Sequence, residues 1–141
     1  VSDYGYRQVL PTRWHDNDIY GHVNNTIYYA AMDTTINTWM MRSAGFDPHS
    51  ASAIGLCVSS SCEYRASAAF PDTLVVGLRV GRLGRTSITW ETGIFRAADD
   101  DGDELLLATG TFVHVFVDRD SRRPVPIPEE IRTRAEQDLV R

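Results

Sequence analysis

The sequence predicts an α+β fold: a five-stranded antiparallel sheet wrapped around one long helix, with a short helix at the C-terminus. Three observations predict it. A run of good helix capping residues at Asn24, Asn25 and Thr26 is followed by no Pro or Gly until Gly45. Three later segments carry apolar residues at every second position, the period of a strand with one buried face, and a fourth is apolar on both faces in places. Turn-forming residues join most of these segments, and tight turns place neighbouring strands antiparallel.

Each element follows in order. "YRQVLPTRW" reads as a first strand, and Pro11 points to a sheet edge because it lacks a backbone donor. A polar loop follows. The helix then spans ~20 residues and ~30 Å, with Gly45 where a left-handed C′ residue belongs. Ile27, Tyr28, Tyr29, Ala30, Ala31 and Met32 are consecutive, and Ile36, Trp39, Met40 and Met41 extend the apolar surface. A helix apolar nearly all round belongs under cover on most sides, so the strands are expected to wrap it.

Those strands begin after Ile54. Leu56, Val58, Cys62 and Tyr64 share one parity, as do Leu74, Val76, Leu78 and Val80. "LGR" turns the chain into "TSITWETGIFR", where Ile88, Trp90 and Ile94 share a face. "DDDGDE" reads as a solvated hairpin tip. Its acids are contiguous rather than alternating, and no glutamate stands six residues after Gly102, so it lacks the pattern of a calcium loop. "LLLATGTFVHVFV" is long and apolar on both faces in places, which predicts an interior strand. "DRDSRRPVPIP" is an extended exit, and "EEIRTRAEQDLVR" a helix behind Pro128. There are no internal repeats, and residues 1–141 read as a single domain.

Composition narrows the function. A net charge of −5 opposes general nucleic-acid binding, and a 43% hydrophobic content supplies a core. All fourteen basic residues are arginine, a bias that genome composition explains and that also suits phosphate recognition. Cys57 and Cys62 match neither a redox pair nor a zinc knuckle and are expected to be buried free thiols. No apolar run reaches the roughly 20 residues of a membrane span. "VSDYGYRQV" has no signal-peptide core, so a cytoplasmic location is expected.

The chemistry is concentrated in "RWHDNDIYGHVNNTIYY", residues 13–29. A loop carrying Asp16 and Asp18 leads directly into a helix whose first N–H groups lack partners and carry partial positive charge. A carboxylate beside such an oxyanion site is the minimum equipment for acyl transfer. Either acid could instead be a helix cap, and His15 and His22 could be surface or core residues. A metal site through His15, Asp16, Asp18 and His22 has no supporting spacing, and no metal or cofactor is expected. No GxSxG elbow exists, and the glycines of "GLRVGRLGR" precede no helix, so neither an α/β-hydrolase nor a dinucleotide site is indicated.

This stretch resembles the signature of hotdog-fold acyl-CoA thioesterases of the 4-hydroxybenzoyl-CoA thioesterase type, and of acyl-carrier-protein thioesterases of similar fold. The resemblance extends through "EYRASAAFPDTLVVGLRVGRLGRTSITWE" to "FVDRDSRRPVPIPEEIR". It implies that Asp18 is the catalytic carboxylate, that the amide near Asn25 polarises the thioester carbonyl, and that Asp16 is structural. His22 matches the family's histidine and is expected in the site with an open role. Tyr20 stands where the acyl-carrier-protein enzymes have asparagine. Tyr20, Gly21 and Asn24 are expected to border the substrate, with Arg65, Arg82 or Arg85 contacting CoA phosphates. The resemblance further implies a homodimer or homotetramer with sites at the subunit interface. The expected substrate is an acyl-CoA or an acyl-carrier-protein thioester. A hotdog dehydratase is an alternative, although its D-x-N-P-x-H segment is missing. The other alternative is a non-catalytic acyl-CoA-binding module, which would have no need of Asp18.

Overall fold

The computed structural model describes residues 3–98 and 103–140. Five strands form one sheet: β1 (Tyr6–Pro11), β2 (Ala53–Tyr64), β3 (Thr73–Leu83), β4 (Ser87–Arg96) and β5 (Leu105–Asp118). Helix α1 (Asn25–Thr38) follows β1, and α2 (Glu129–Asp138) ends the chain. The spatial order is β1-β3-β4-β5-β2, antiparallel at every pairing. β1 is an edge strand, as Pro11 predicts, and β5 lies inside the sheet between β4 and β2. The β3–β4 connection is tight, closed by the Gly84 N–H donating to Ser87 at 2.9 Å. The β2–β3 connection departs from the hairpin expectation: β2 forms the far edge, so residues 65–72 must cross to the strand beside β1. Of the "DDDGDE" tip, Asp99–Gly102 lie outside the described residues.

Helix α1 begins where its caps predict, with Asn24 Oδ1 accepting the Thr26 N–H at 2.9 Å. Its last turn widens to π geometry over Trp39–Ser43, and Gly45 takes φ 74° just beyond. Tyr28, Ala31, Met32, Thr35, Ile36, Trp39 and Met40 are buried, steps of three and four that define one face. Ala30, Asp33, Thr34, Asn37 and Met41 are exposed. The expectation of a helix covered on most sides is therefore corrected within one chain. A single sheet reaches one face, and the run from Ile27 to Met32 wraps onto flanks that the sheet leaves open.

The core lies between that face and the sheet. Leu74, Val76, Leu78, Ile88, Trp90 and Ile94 are buried on the expected parities, each such side chain contributing about 1.5–3 kcal/mol. α1 approaches β5 so closely that any Cβ at Gly110 would collide with Met32 Sδ. Ile131 and Ala135 of α2, with Leu139 just beyond it, join the same core. The Leu139 carbonyl accepts the Val80 N–H at 3.0 Å, taking over the β3 edge where β1 has ended.

Strand β2 behaves differently. It pairs only with β5, and Leu56, Val58 and Tyr64 are 36%, 58% and 46% exposed. A bulge between Cys57 and Ser59 shifts the register. The single parity read from Leu56 to Tyr64 is thereby broken: Leu56 stands opposite Val115, whereas Cys62 stands opposite the helix-facing Gly110. The expectation of buried thiols also fails. Both cysteines are free, but Cys57 is exposed and Cys62 only partly covered, because an edge strand has no outer neighbour to bury them. Among the described residues, no helix is long and apolar enough to cross a membrane.

Candidate active site

The loop from β1 to α1 is built around Asp16, which is 4% exposed. Its carboxylate accepts the Arg13 backbone N–H at 2.8 Å and pairs with the Arg13 guanidinium at 2.9 Å. Its carbonyl accepts the Asn24 N–H at 2.8 Å, so one residue ties both ends of the loop together. Burial pushes the Asp16 pKa up, but the Arg13 hydrogen bonds and charge outweigh it and hold the carboxyl below its ordinary 3.8. The crossing segment 65–72 docks on the same loop. Ala68 accepts the Val23 N–H at 2.8 Å, and Asn17 Oδ1 accepts the Phe70 N–H at 3.0 Å.

Asp18 closes a smaller turn inside this frame. Its Oδ1 accepts the N–H of Tyr20 at 2.9 Å and that of His22 at 3.4 Å. Its backbone N–H donates to the His22 carbonyl at 2.8 Å, and its carbonyl accepts the Gly21 N–H at 3.1 Å. Among the described residues nothing donates to its other oxygen. Asp18 borders a cavity of about 540 Å³, together with Val23, Asn25, Tyr28, Tyr64 and the segment Arg65–Ser67. Asn25 is the first residue of α1, so its N–H has no intrahelical acceptor. Asn24 occupies the Thr26 N–H with its side chain and the Ile27 N–H with its carbonyl, leaving the Asn25 donor at this helix end.

The opposite wall is aromatic. Tyr28 and Tyr64 meet edge to face, centroids 5.3 Å apart, and the Tyr64 hydroxyl donates to the Asn25 carbonyl at 3.1 Å. Burial and then the Cys62 thiol beside it push the Tyr64 pKa up to about 12. At neutral pH Tyr64 is therefore a phenol that braces the helix end, and no base.

Of the residues singled out in the sequence, the fold brings Asp18, Asn25 and Arg65 to one cavity, with Asn24 capping beside it. The others are placed differently. His22 reaches Asp18 through its backbone, and its ring does not line the cavity. Tyr20 is 79% exposed and meets Asp18 only by its N–H. Gly21, at φ 81°, closes the Asp18 turn. Arg82 and Arg85 lie at the other end of the sheet, beside the β3–β4 turn. β3 begins near Asp18, where Thr73 pairs with Pro11, and Leu83 is ten residues further on. Val23, Tyr28, Tyr64 and Ser67 were not singled out for the site. Tyr28 reads as one more apolar residue of the helix, and only the parity of Tyr64 with Cys62 marks it as inward-facing. Among the described residues, no cluster of His, Cys, Asp and Glu is arranged to hold a metal.

Comparison with known proteins places the chain by sequence and by fold. A model of the thioesterase-like superfamily matches residues 12–134. The solved PA5185 protein of Pseudomonas aeruginosa is 48% identical, over 98% of this chain and 94% of that one, with a TM-score of 0.90. The PA2801 protein of the same organism is 31% identical, over 92% and 97% of the two chains, at 0.82. A 4-hydroxybenzoyl-CoA thioesterase in complex with 4-hydroxybenzoyl-CoA shares the fold at 18% identity, covering 92% and 97%, at 0.81. No curated protein matches by sequence. The chain belongs to the thioesterase-like superfamily, with its hotdog fold, and is a thioester hydrolase.

Proposed function

We propose that this thioesterase hydrolyses acyl-CoA to a free acid and CoA, with Asp18 as the reacting carboxylate and the Asn25 N–H polarising the carbonyl. The observation that carries this reading is that both groups border one cavity at the amino end of α1. A thioester carbonyl oxygen directed at Asn25 would gain a hydrogen bond and the partial positive charge of the helix end as the oxyanion develops. The unbonded Asp18 oxygen then attacks the carbonyl carbon, expelling CoA thiolate and leaving a mixed anhydride for water to cleave. Alternatively it takes a proton from a water that attacks directly. Both routes need only one carboxylate, because a thiolate leaves without strong acid assistance. His22, Tyr20 and Gly21 serve the reaction by holding the Asp18 turn.

Arg65 borders the cavity and is the proposed contact for a CoA phosphate within one chain. Arg82 and Arg85 require a second copy. Strand β2 is a twelve-residue edge with apolar side chains in solvent, a surface suited to pairing. If two copies join β2 to β2 antiparallel, the β3–β4 turn of one lies toward the same end as Asp18 of the other. This supports a homodimer, alone or paired into a tetramer. A monomeric mass by light scattering at micromolar concentration would remove Arg82 and Arg85 from the site.

The activity is tested by thiol release from acyl-CoAs of graded length, beside the same acyl groups on N-acetylcysteamine and on acyl-carrier protein. Arg65→Ala is expected to raise KM for the CoA esters and leave the N-acetylcysteamine esters unchanged. Release from carrier protein alone would reassign the substrate, and no release from any thioester would overturn the reading.

A further inference from the structure

Two phenols line the cavity at Asp18, and they differ in where their protons go. A phenol has one proton to donate. Tyr64 gives its proton to the Asn25 carbonyl at 3.1 Å. Tyr28 is only 3% exposed, yet its hydroxyl donates to no acceptor among the described residues. The Ala68 N–H lies beside its oxygen, and that group supplies a proton and takes none. Ala66 and Ser67, the neighbours of Ala68 in the chain, line the same cavity, so the hydroxyl end of the ring stands at the cavity wall.

Tyr28 follows Asn25 by three residues, which sets both on one flank of α1. Helical side chains lean toward the N-terminus and cover the turn before their own Cα. The ring thus lies back toward the turn that begins at Asn25. Its edge-to-face partner at 5.3 Å is Tyr64, whose hydroxyl reaches the Asn25 carbonyl, so the aromatic pair sits against that turn. Burial pushes the Tyr28 pKa above its ordinary value, outweighing the opposite effect of the Ala68 N–H. At physiological pH the group is a neutral donor. A carbonyl oxygen has two lone pairs, and the Asn25 N–H supplies a bond to one of them. A buried donor without an acceptor is costly to keep, and a substrate oxygen removes that cost.

We infer that Tyr28 is a further catalytic residue, its O–H donating the second hydrogen bond to the thioester carbonyl oxygen beside the Asn25 N–H. As the carbonyl becomes an oxyanion, both bonds strengthen, and the proton stays on the phenol throughout. This rests on the acyl-CoA reading above, and it assigns a donor that neither Asp18 nor the helix end provides.

The carbonyl stretch of a bound substrate tests it. In the Asp18→Asn protein, an acyl-CoA isotope-labelled at the thioester carbonyl is expected to stay intact, and infrared difference spectra then report the bonds its oxygen accepts. Each bond lowers the stretching frequency. Adding Tyr28→Phe keeps the ring and removes only the donor, so the frequency is expected to rise. In the otherwise native enzyme, Tyr28→Phe is expected to lower kcat on the order of 10²-fold, the lower range for one oxyanion donor. KM for acyl-CoA should change little, and a melting curve near that of the wild type excludes unfolding as the cause. An unshifted stretch would overturn the inference, as would a rise in KM with kcat unchanged. Hydrolysis of acyl-CoA by the wild type is measured alongside. If it proceeds while the stretch is unshifted, only the role of Tyr28 fails; if no acyl-CoA is hydrolysed, the acyl-CoA reading fails with it.

Discussion

Asp16 and Asp18 are two residues apart in the same loop and hold opposite positions. Asp16 is buried, accepts hydrogen bonds from the backbone and side chain of Arg13, and is kept ionised by them. Asp18 is half exposed, leaves one oxygen unbonded among the described residues, and borders the cavity. A carboxylate surrounded by donors has little capacity left for a substrate, whereas one held by a single oxygen is fixed in place and still reactive. The first organises the loop that presents the second.

Substitution should separate the two roles, and the largest effect belongs to Asp18. Asp18→Asn keeps the shape and an acceptor for the Tyr20 N–H but removes the charge to which the proposed mechanism assigns the attack or proton transfer. Single-turnover hydrolysis is expected to fall at least ~10²-fold, the lower range for losing a general base, with an unchanged melting curve. Near-normal turnover in a folded Asp18→Asn protein would break the comparison.

Asp16→Asn should do the reverse. Losing a charged partner for Arg13 is expected to cost about 1 kcal/mol by denaturant unfolding, the low end for such bonds, because Arg13 is 64% exposed and partly screened. Its chemical step should stay within a few-fold of wild type. The pH dependence sharpens this. The folded Asp16 pKa is depressed, so its stabilisation is complete above the unfolded value and is lost as pH falls from near 3.8 through the folded value. Asp16→Asn should flatten that part of the acid unfolding profile, and Asp18→Asn should leave it in place.

The smallest effect is expected at His22. Its backbone holds the Asp18 turn while its ring lies outside the cavity. His22→Ala should change single-turnover rates by less than about tenfold, well below the loss for a general base. A loss matching that of Asp18→Asn would give the imidazole a direct part in the chemistry.

The fold was legible wherever local pattern and burial coincide. Asn24 and Gly45 mark the helix ends, and Leu74–Val80 and Ile88–Ile94 face the core on the parities their spacing shows. Pattern misled where a strand has no second neighbour. The apolar residues of β2 look like those of β3, but β2 is an edge with a bulge, so part of its apolar set faces solvent. Likewise the hairpin-like spacing of the later strands concealed the crossing from β2 to β3.

The candidate site divides along the same line. By itself the sequence determined that a carboxylate-bearing loop enters a capped helix, since both lie within residues 16–25 and depend only on local backbone chemistry. The choice of Asp18 over Asp16 came from the family resemblance, and Asp18 and Asn25 both lie within this one stretch. Only the tertiary structure decided that Tyr64, Arg65 and Ser67 complete the wall and that Arg82 and Arg85 stand at the far end of the sheet. These positions follow from strand order and register, and those are set by which faces must be buried together rather than by neighbours in sequence.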